Sequence, residues 1–371
     1  MGTVQGVTVV CDFIRSDKDG RPGEGDRSAV WLFDAIKRQV AKACSLPMHL
    51  LTARGCRELE SWVAAKRSPA DADAFWAANY ANLAIAPALE TIFLRPLSGQ
   101  FVIGHEMPPY LLYILAACEI PHLDVRIHPV RFLDDLLFAV KASDPETQES
   151  LHKLSISEEV VLATAGLVQA QSRYTADSRL PPETLLVIGQ RTMDSSQIID
   201  GRFFDALQHL PQIQAIFANY RGILLKPHPY GGQHSLLLAA AAAPNALAVT
   251  EDNVYRLLAQ PEISGVLSVN SSSVYEARYF DKQIHTLAPM PAHPVWREDV
   301  VQPGSYLSVD DFLFSVDFWR LALRGRATVS SLTGVRLPPK PNRLRIAHDS
   351  FWNFNELDTD RIPRRPMTGT R

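Results

Sequence analysis

Apolar positions along the chain gather in short runs separated by longer amphipathic stretches, the spacing expected of strands alternating with helices. Val7 to Phe13, Met48 to Thr52, Phe101 to Gly104 and Leu123 to Ile127 read as strands, and Ser28 to Ala41 as a helix between the first two. Asp135 to Gln171 reads as helix-rich, with Asp134-Asp135 placing negative charge at its opening. Ser172 to Pro182 is polar and contains proline, which marks it as a linker. The rhythm then restarts with Leu185 to Ile188, Ile223 to Leu225, Ala246 to Val249, Val266 to Val269 and Ile284 to Leu287. Continuous apolar runs of this kind predict parallel sheet covered on both faces. Val309 to Leu323 reads as a late helix. The expected fold is α/β, two Rossmann-like domains with parallel sheets facing a central cleft. Residues 1–178 form the first domain, 179–330 the second, and 331–371 a tail. Its proline-rich and aromatic segments, Leu337 to Pro341 and Phe351 to Phe354, are expected to pack back on the body, and the basic end, Arg361 to Arg371, to be disordered or a tether.

A length of 371 residues suits two domains. A hydrophobic content of 46% and a charged content of 21% are those of an ordinary globular chain. The net charge of -3 gives no global reason to expect nucleic acid, so any anion site must be local. The N-terminus carries no basic leader followed by a long apolar core, and the alanine run Ala239 to Ala243 is short and soon followed by Pro244. The expected location is the cytoplasm, with peripheral contact at the cytoplasmic face of the inner membrane left open. Cys11, Cys44, Cys56 and Cys118 show no paired spacing and are expected to be reduced.

The candidate chemistry lies in three polar clusters, each just after a run that reads as a buried strand. These are Gly189-Gln190-Arg191-Thr192-Met193-Asp194-Ser195-Ser196, Lys226-Pro227-His228-Pro229 and Asn270-Ser271-Ser272-Ser273. In an open α/β sheet, ligands bind beyond the carboxyl ends of the strands, so the three clusters are expected to converge on one ligand. Lys226 and His228, on a loop stiffened by two prolines, suit a phosphate or carboxylate. Ser273 and Glu276 match the S-x-x-E capping box of a helix start, which leaves Asn270, Ser271 and Ser272 available for a phosphate at that helix end. Asp194 has two readings, a cap for the following turn or a nucleophile or base facing a sugar's anomeric carbon. Gly104-His105-Glu106-Met107-Pro108-Pro109-Tyr110 follows a strand of the first domain. Its Glu106 is either an acid/base or acceptor-binding group, or a loop glutamate making a surface contact. Metal signals are poor, because the D-x-D at Asp358-Thr359-Asp360 lies in the tail, and no G-x-G-x-x-G follows the first strand.

Gly189-Gln190 with Asp194-Ser195-Ser196, Lys226-Pro227-His228-Pro229, and Asn270-Ser271-Ser272-Ser273 with Glu276-Ala277, in that order, resemble the motifs of bacterial glycosyltransferases that use CMP-activated acidic sugars. The likeness is closest to the retaining β-Kdo transferases of capsule and lipopolysaccharide O-antigen synthesis, and it covers roughly the second domain. It implies a GT-B architecture, CMP-β-Kdo as donor, a glycan or glycolipid acceptor, and no metal or other cofactor. By position, Asp194 is the implied nucleophile, with Gln190, Arg191, Ser195, Lys226, His228, Asn270, Ser271, Ser272, Ser273 and Glu276 around the donor and Glu106 a weaker match from the first domain. Lys226, His228 and Arg191 are the cations available to offset the charge of a donor carboxylate. Two alternatives remain: an inverting CMP-sialic acid-dependent sialyltransferase, in which Asp194 is structural, and a non-catalytic sugar-nucleotide-binding protein. Partners implied are the donor, the acceptor and other polysaccharide assembly enzymes, and not nucleic acid.

Overall fold

A computed structural model describes residues 2–15, 26–66, 72–173, 180–228, 235–290 and 293–348. Pro229, most of the predicted linker, the aromatic segment Phe351 to Phe354, the Asp358-Thr359-Asp360 triplet and the basic end lie outside the described residues.

The first lobe runs β1 (Gly6–Val10), α1 (Asp26–Cys44), β2 (Met48–Leu50), α2 (Arg57–Lys66), α3 (Ala72–Tyr80), α4 (Ala86–Leu97), β3 (Gln100–His105), α5 (Pro109–Ala117), β4 (His122–Ile127), β5 (Phe138–Ala142) and α6 (Pro145–His152). The chain continues through α7 (Glu158–Arg173), β6 (Thr184–Ile188), the short hairpin β7 (Ile198–Ile199) and β8 (Arg202–Phe203), α8 (Leu210–Phe217), β9 (Gly222–Lys226), α9 (Ser235–Ala241), β10 (Ala246–Val249), α10 (Val254–Leu258), β11 (Ile263–Ser268), α11 (Ser272–Ala277) and β12 (Gln283–Thr286). It ends with β13 (Pro294–Val295), β14 (Tyr306–Val309), α12 (Val316–Ala322) and α13 (Arg343–His348).

Two sheets organise these elements. In the second lobe the order is β10-β9-β6-β11-β12, all parallel, so chain order reverses between β6 and β11. In the first lobe β2, β1, β3 and β4 are parallel, and chain order reverses between β1 and β3. Each lobe thus has a topological switch point of the kind where α/β folds bind ligands. Helices cover both faces of each sheet. Residues of α1 and α12 share one core with β1, β3 and β4, while α2, α4 and α5 close the opposite face. Residues of α7, α10 and α11 cover one side of the second sheet, and α8 and α9 the other. The architecture is α/β and GT-B-like.

Several elements differ from their sequence reading. The stretch expected to be helical from Asp135 contains β5, antiparallel to β4, because Asp144 caps α6 through Thr147 N–H and Pro145 starts the helix there. Asp134-Asp135 opens no adjoining helix; the Asp135 carboxylate instead accepts from the N–H groups of Leu344 and Arg345 at the start of α13. Val309 to Leu323 is a strand end, a 3-10 turn and α12, because Asp310 and Ser315 each cap a new start. The lobes also divide the chain differently from 1–178 and 179–330. Val161, Ala165 and Val168 of α7 already pack on the second sheet, whereas β14 pairs antiparallel with β5 and α12 packs on α1. The first sheet is therefore mixed at that edge. Of the tail, α13 returns to the body, where Leu344 and Arg345 are buried, whereas residues 331–341 are exposed, so Leu337 to Pro341 does not pack into the body as the sequence suggested.

Candidate functional site

Both switch points open on one cleft of about 740 Å³. Its second-lobe wall carries Gly189 to Arg191, Asp194 to Ser196, Lys226 to His228 and Asn270 to Ser273. Its first-lobe wall carries Arg15, Ser28, His105, Glu106, Arg126 and Arg131, and α13 adds His348. The three sequence clusters converge because β6, β9 and β11 are neighbours with parallel direction.

Side-chain amides hold the second-lobe loops together. Gln190 accepts from Ser268 Oγ at 3.0 Å and from the Asn270 N–H at 2.9 Å, and its amide nitrogen donates to Asn270 Oδ1. Asn270 in turn donates to the carbonyls of Ser196 and Pro289 and accepts from Gln197. Gln190 and Asn270 therefore spend their hydrogen-bonding capacity on the loops and position the second-lobe wall of the cleft. The Gly189 N–H donates to the Lys226 carbonyl, and a Cβ at Gly189 would stand 2.8 Å from Leu237 and 3.4 Å from the His228 backbone nitrogen. Glycine keeps these two loops in contact.

Asp194 caps the 3-10 turn Ser195–Gln197, with Oδ1 accepting from the Ser196 N–H at 3.0 Å and the Ser196 hydroxyl at 2.8 Å. Among the described residues its Oδ2 accepts no hydrogen bond, so a single oxygen fixes the carboxylate. Burial, followed by the charges of Arg191 and Lys226, pushes the His228 ring below its ordinary range, against an opposing effect of Asp194. That direction favours the neutral ring, whereas Lys226 and Arg191 carry positive charge on the same wall.

The capping box is not formed. Ser271 caps α11, accepting from the Ser273 N–H, so Glu276 lies beyond the first turn and cannot reach back to the cap. Glu276 is wholly buried, away from the cleft lining, and accepts from the Arg131 N–H of the first lobe and from the Tyr255 hydroxyl. Burial raises its carboxyl to about 8, the Arg131 and Tyr255 contacts only partly offsetting that effect. It is an interlobe contact rather than a donor ligand.

On the first-lobe wall, Glu106 sits at φ 52, a left-handed backbone rarely taken by glutamate, and its N–H donates to the Val125 carbonyl. Its half-buried side chain lines the cleft. Beside it, Asp124 and Arg126 alternate onto one face of β4. Arg126 donates from Nε to Asp124 at 2.9 Å and from Nη2 to the Met107 carbonyl, while Asp124 also accepts from Met107 N–H and the Tyr306 hydroxyl. Burial alone would raise Asp124, but Arg126 and these donors hold it below the usual carboxylate range. Asp12, at the end of β1, is buried and raised by that burial, although it accepts from Trp76 Nε1 at 2.7 Å, Ile14 N–H and the Tyr110 hydroxyl. Arg15 lies over the Trp76 ring at 4.9 Å. Sequence reasoning missed Asp12, Asp124 and Arg126, because each sits within or beside an apolar run; the Asp-x-Arg alternation within β4 was the available signal.

Among the described residues no group of three or more histidine, cysteine or acidic side chains is placed to hold a metal ion, and no helix is long and apolar enough to cross a membrane. No protein-family model matches the chain, and no curated protein matches it. Among solved structures it is similar to a β-Kdo 2,7 transferase, KpsC of Thermosulfurimonas dismutans, at 13% identity over 88% of this chain and 94% of that one, with a TM-score of 0.38. A KpsC β-Kdo 2,4 transferase of the same organism aligns at 16% identity over 49% of this chain and 66% of that one, with a TM-score of 0.32. At these identities neither alignment transfers an activity or a residue role.

Proposed function

We propose that this chain is a glycosyltransferase that moves Kdo from CMP-β-Kdo to a glycan acceptor with retention, in the cytoplasmic steps of bacterial surface polysaccharide synthesis. The observation that carries the reading is the meeting of both switch points at one cleft, with Asp194, Lys226 and the Ser271-Ser272 hydroxyls on one wall and Glu106 on the other. In this reading Asp194 Oδ2 attacks the anomeric carbon, the bond to the CMP phosphate breaks, and a glycosyl-enzyme forms with inverted configuration. Lys226, the hydroxyls and a His228 ring N–H take up the charge of the departing phosphate, and no metal ion is required. Arg191 offsets repulsion between the donor carboxylate and Asp194. Glu106 then removes the proton of an acceptor hydroxyl, which attacks the same carbon, releases Asp194 and restores the original configuration.

The test is incubation of the whole chain with CMP-Kdo generated in situ and a panel of glycan acceptors, followed by mass spectrometry. Addition of one Kdo residue to an acceptor supports the reading. Consumption of CMP-sialic acid in its place, or CMP binding with no transfer from either donor, contradicts it.

A further inference from the structure

On the first-lobe wall, the His105 ring carries a buried nitrogen with no hydrogen-bond partner among the described residues. His105, the last residue of β3, is 6% exposed, and its Nε2 is shielded from water without a hydrogen bond. An orphaned ring nitrogen beside a cleft is a place for a ligand atom. Its ring lies 6.0 Å from that of His348 with the planes 16° apart, and His348 also meets Trp31 edge-on at 4.5 Å. The placement of His348 is built into the fold. Asp135 caps α13, Leu344 enters the first-lobe core, and Arg345 Nη2 donates to the carbonyls of Arg131 and Leu133 at 2.7 and 2.6 Å.

We propose that His105 and His348 form an acceptor-side subsite that hydrogen-bonds sugar hydroxyls next to Glu106, so that the C-terminal segment belongs to the working cleft. A neutral imidazole offers one donor and one acceptor, the same pair a sugar hydroxyl carries. Lys226 and the serine hydroxyls lie on the opposite wall, which leaves the two rings to the hydroxyls of a glycan. The proposal rests on the transferase reading for the word acceptor, but not for the binding itself.

The test is long-range 1H–15N correlation of the imidazole rings in the labelled full chain, with His105→Phe and His348→Phe used for assignment. The probes are CMP and the methyl glycosides of a hexose, an N-acetylhexosamine and Kdo. The proposal expects a glycoside to shift the His105 and His348 rings and leave His228 in place, while CMP does the reverse. It also expects His105→Phe, which keeps the ring packing, to weaken glycoside affinity by about fivefold or more without lowering Tm. If no glycoside moves either ring while CMP moves His228, or if His105→Phe leaves glycoside affinity unchanged, the pair is packing alone and the proposal falls. Failure of CMP to move His228 would sink the donor-site reading instead, with the glycoside titration still deciding the pair.

Discussion

Glu276 illustrates what a single residue's surroundings decide. The sequence places it three positions after a serine and offers a cap; the fold puts it against the backbone of Arg131 and the hydroxyl of Tyr255, where water does not reach. Its carboxyl, raised to about 8, binds a proton in the folded state at pH values where an unfolded glutamate has lost it. Stability from this group is therefore complete below about pH 4.5 and is lost as pH rises towards about 8. Thermal melts from pH 5 to 9 should show Tm falling across that interval, and Glu276→Gln should flatten the slope; an unchanged slope would contradict the assignment. At the cleft, Lys226→Ala should weaken CMP binding about 10- to 100-fold by calorimetry, the loss expected of a charged hydrogen bond. Asp194, Lys226 and His228 were legible because each follows an apolar run that could be recognised as a strand. Asp12 was not, since its meaning depends on Trp76, 64 positions away, and sequence spacing does not reveal such a tertiary pair, whereas Arg126 was signalled only by its two-residue spacing from Asp124.

At the level of elements, the strands carrying the site were readable because sheets covered on both faces demand continuous apolar runs, as in Thr184–Ile188, buried throughout. Of the strands that were missed, β5 and β14 lie where an apolar run continues past a strand end and only a capping aspartate or serine marks the break. Their pairing joins residues far apart in the chain, a contact that local pattern does not encode. The turn leaving β3 is equally tight. A Cβ at Gly104 would stand 2.0 Å from Met107 Cγ, and the Met107 N–H is held by Asp124. Gly104→Ala should therefore displace the turn that presents Glu106, costing about 1–3 kcal/mol in denaturant unfolding. Preserved stability would show that Met107 can turn aside.

For the whole molecule, the chain laces its lobes together. It leaves the first sheet at α6, builds the second, and returns through β14 and α12, after which α13 fastens the loop containing Arg131. Arg345→Ala leaves two buried carbonyls without their donor and should lower stability by about 2–4 kcal/mol, read as a drop in Tm. No drop would mean that the tail contributes little to holding the lobes. The two-lobed plan was visible in the doubled strand rhythm, whereas the return crossing was hidden, because β13 is two residues long and β14 runs into the apolar stretch that leads to α12. The central claim, a retaining transfer through Asp194, is tested most directly by NMR assignment of the anomeric configuration of the Kdo product from wild type and Asp194→Ala. The account predicts a β-linked product from CMP-β-Kdo and a loss of about 100-fold or more in the variant. An inverted linkage, or full activity without Asp194, would contradict it.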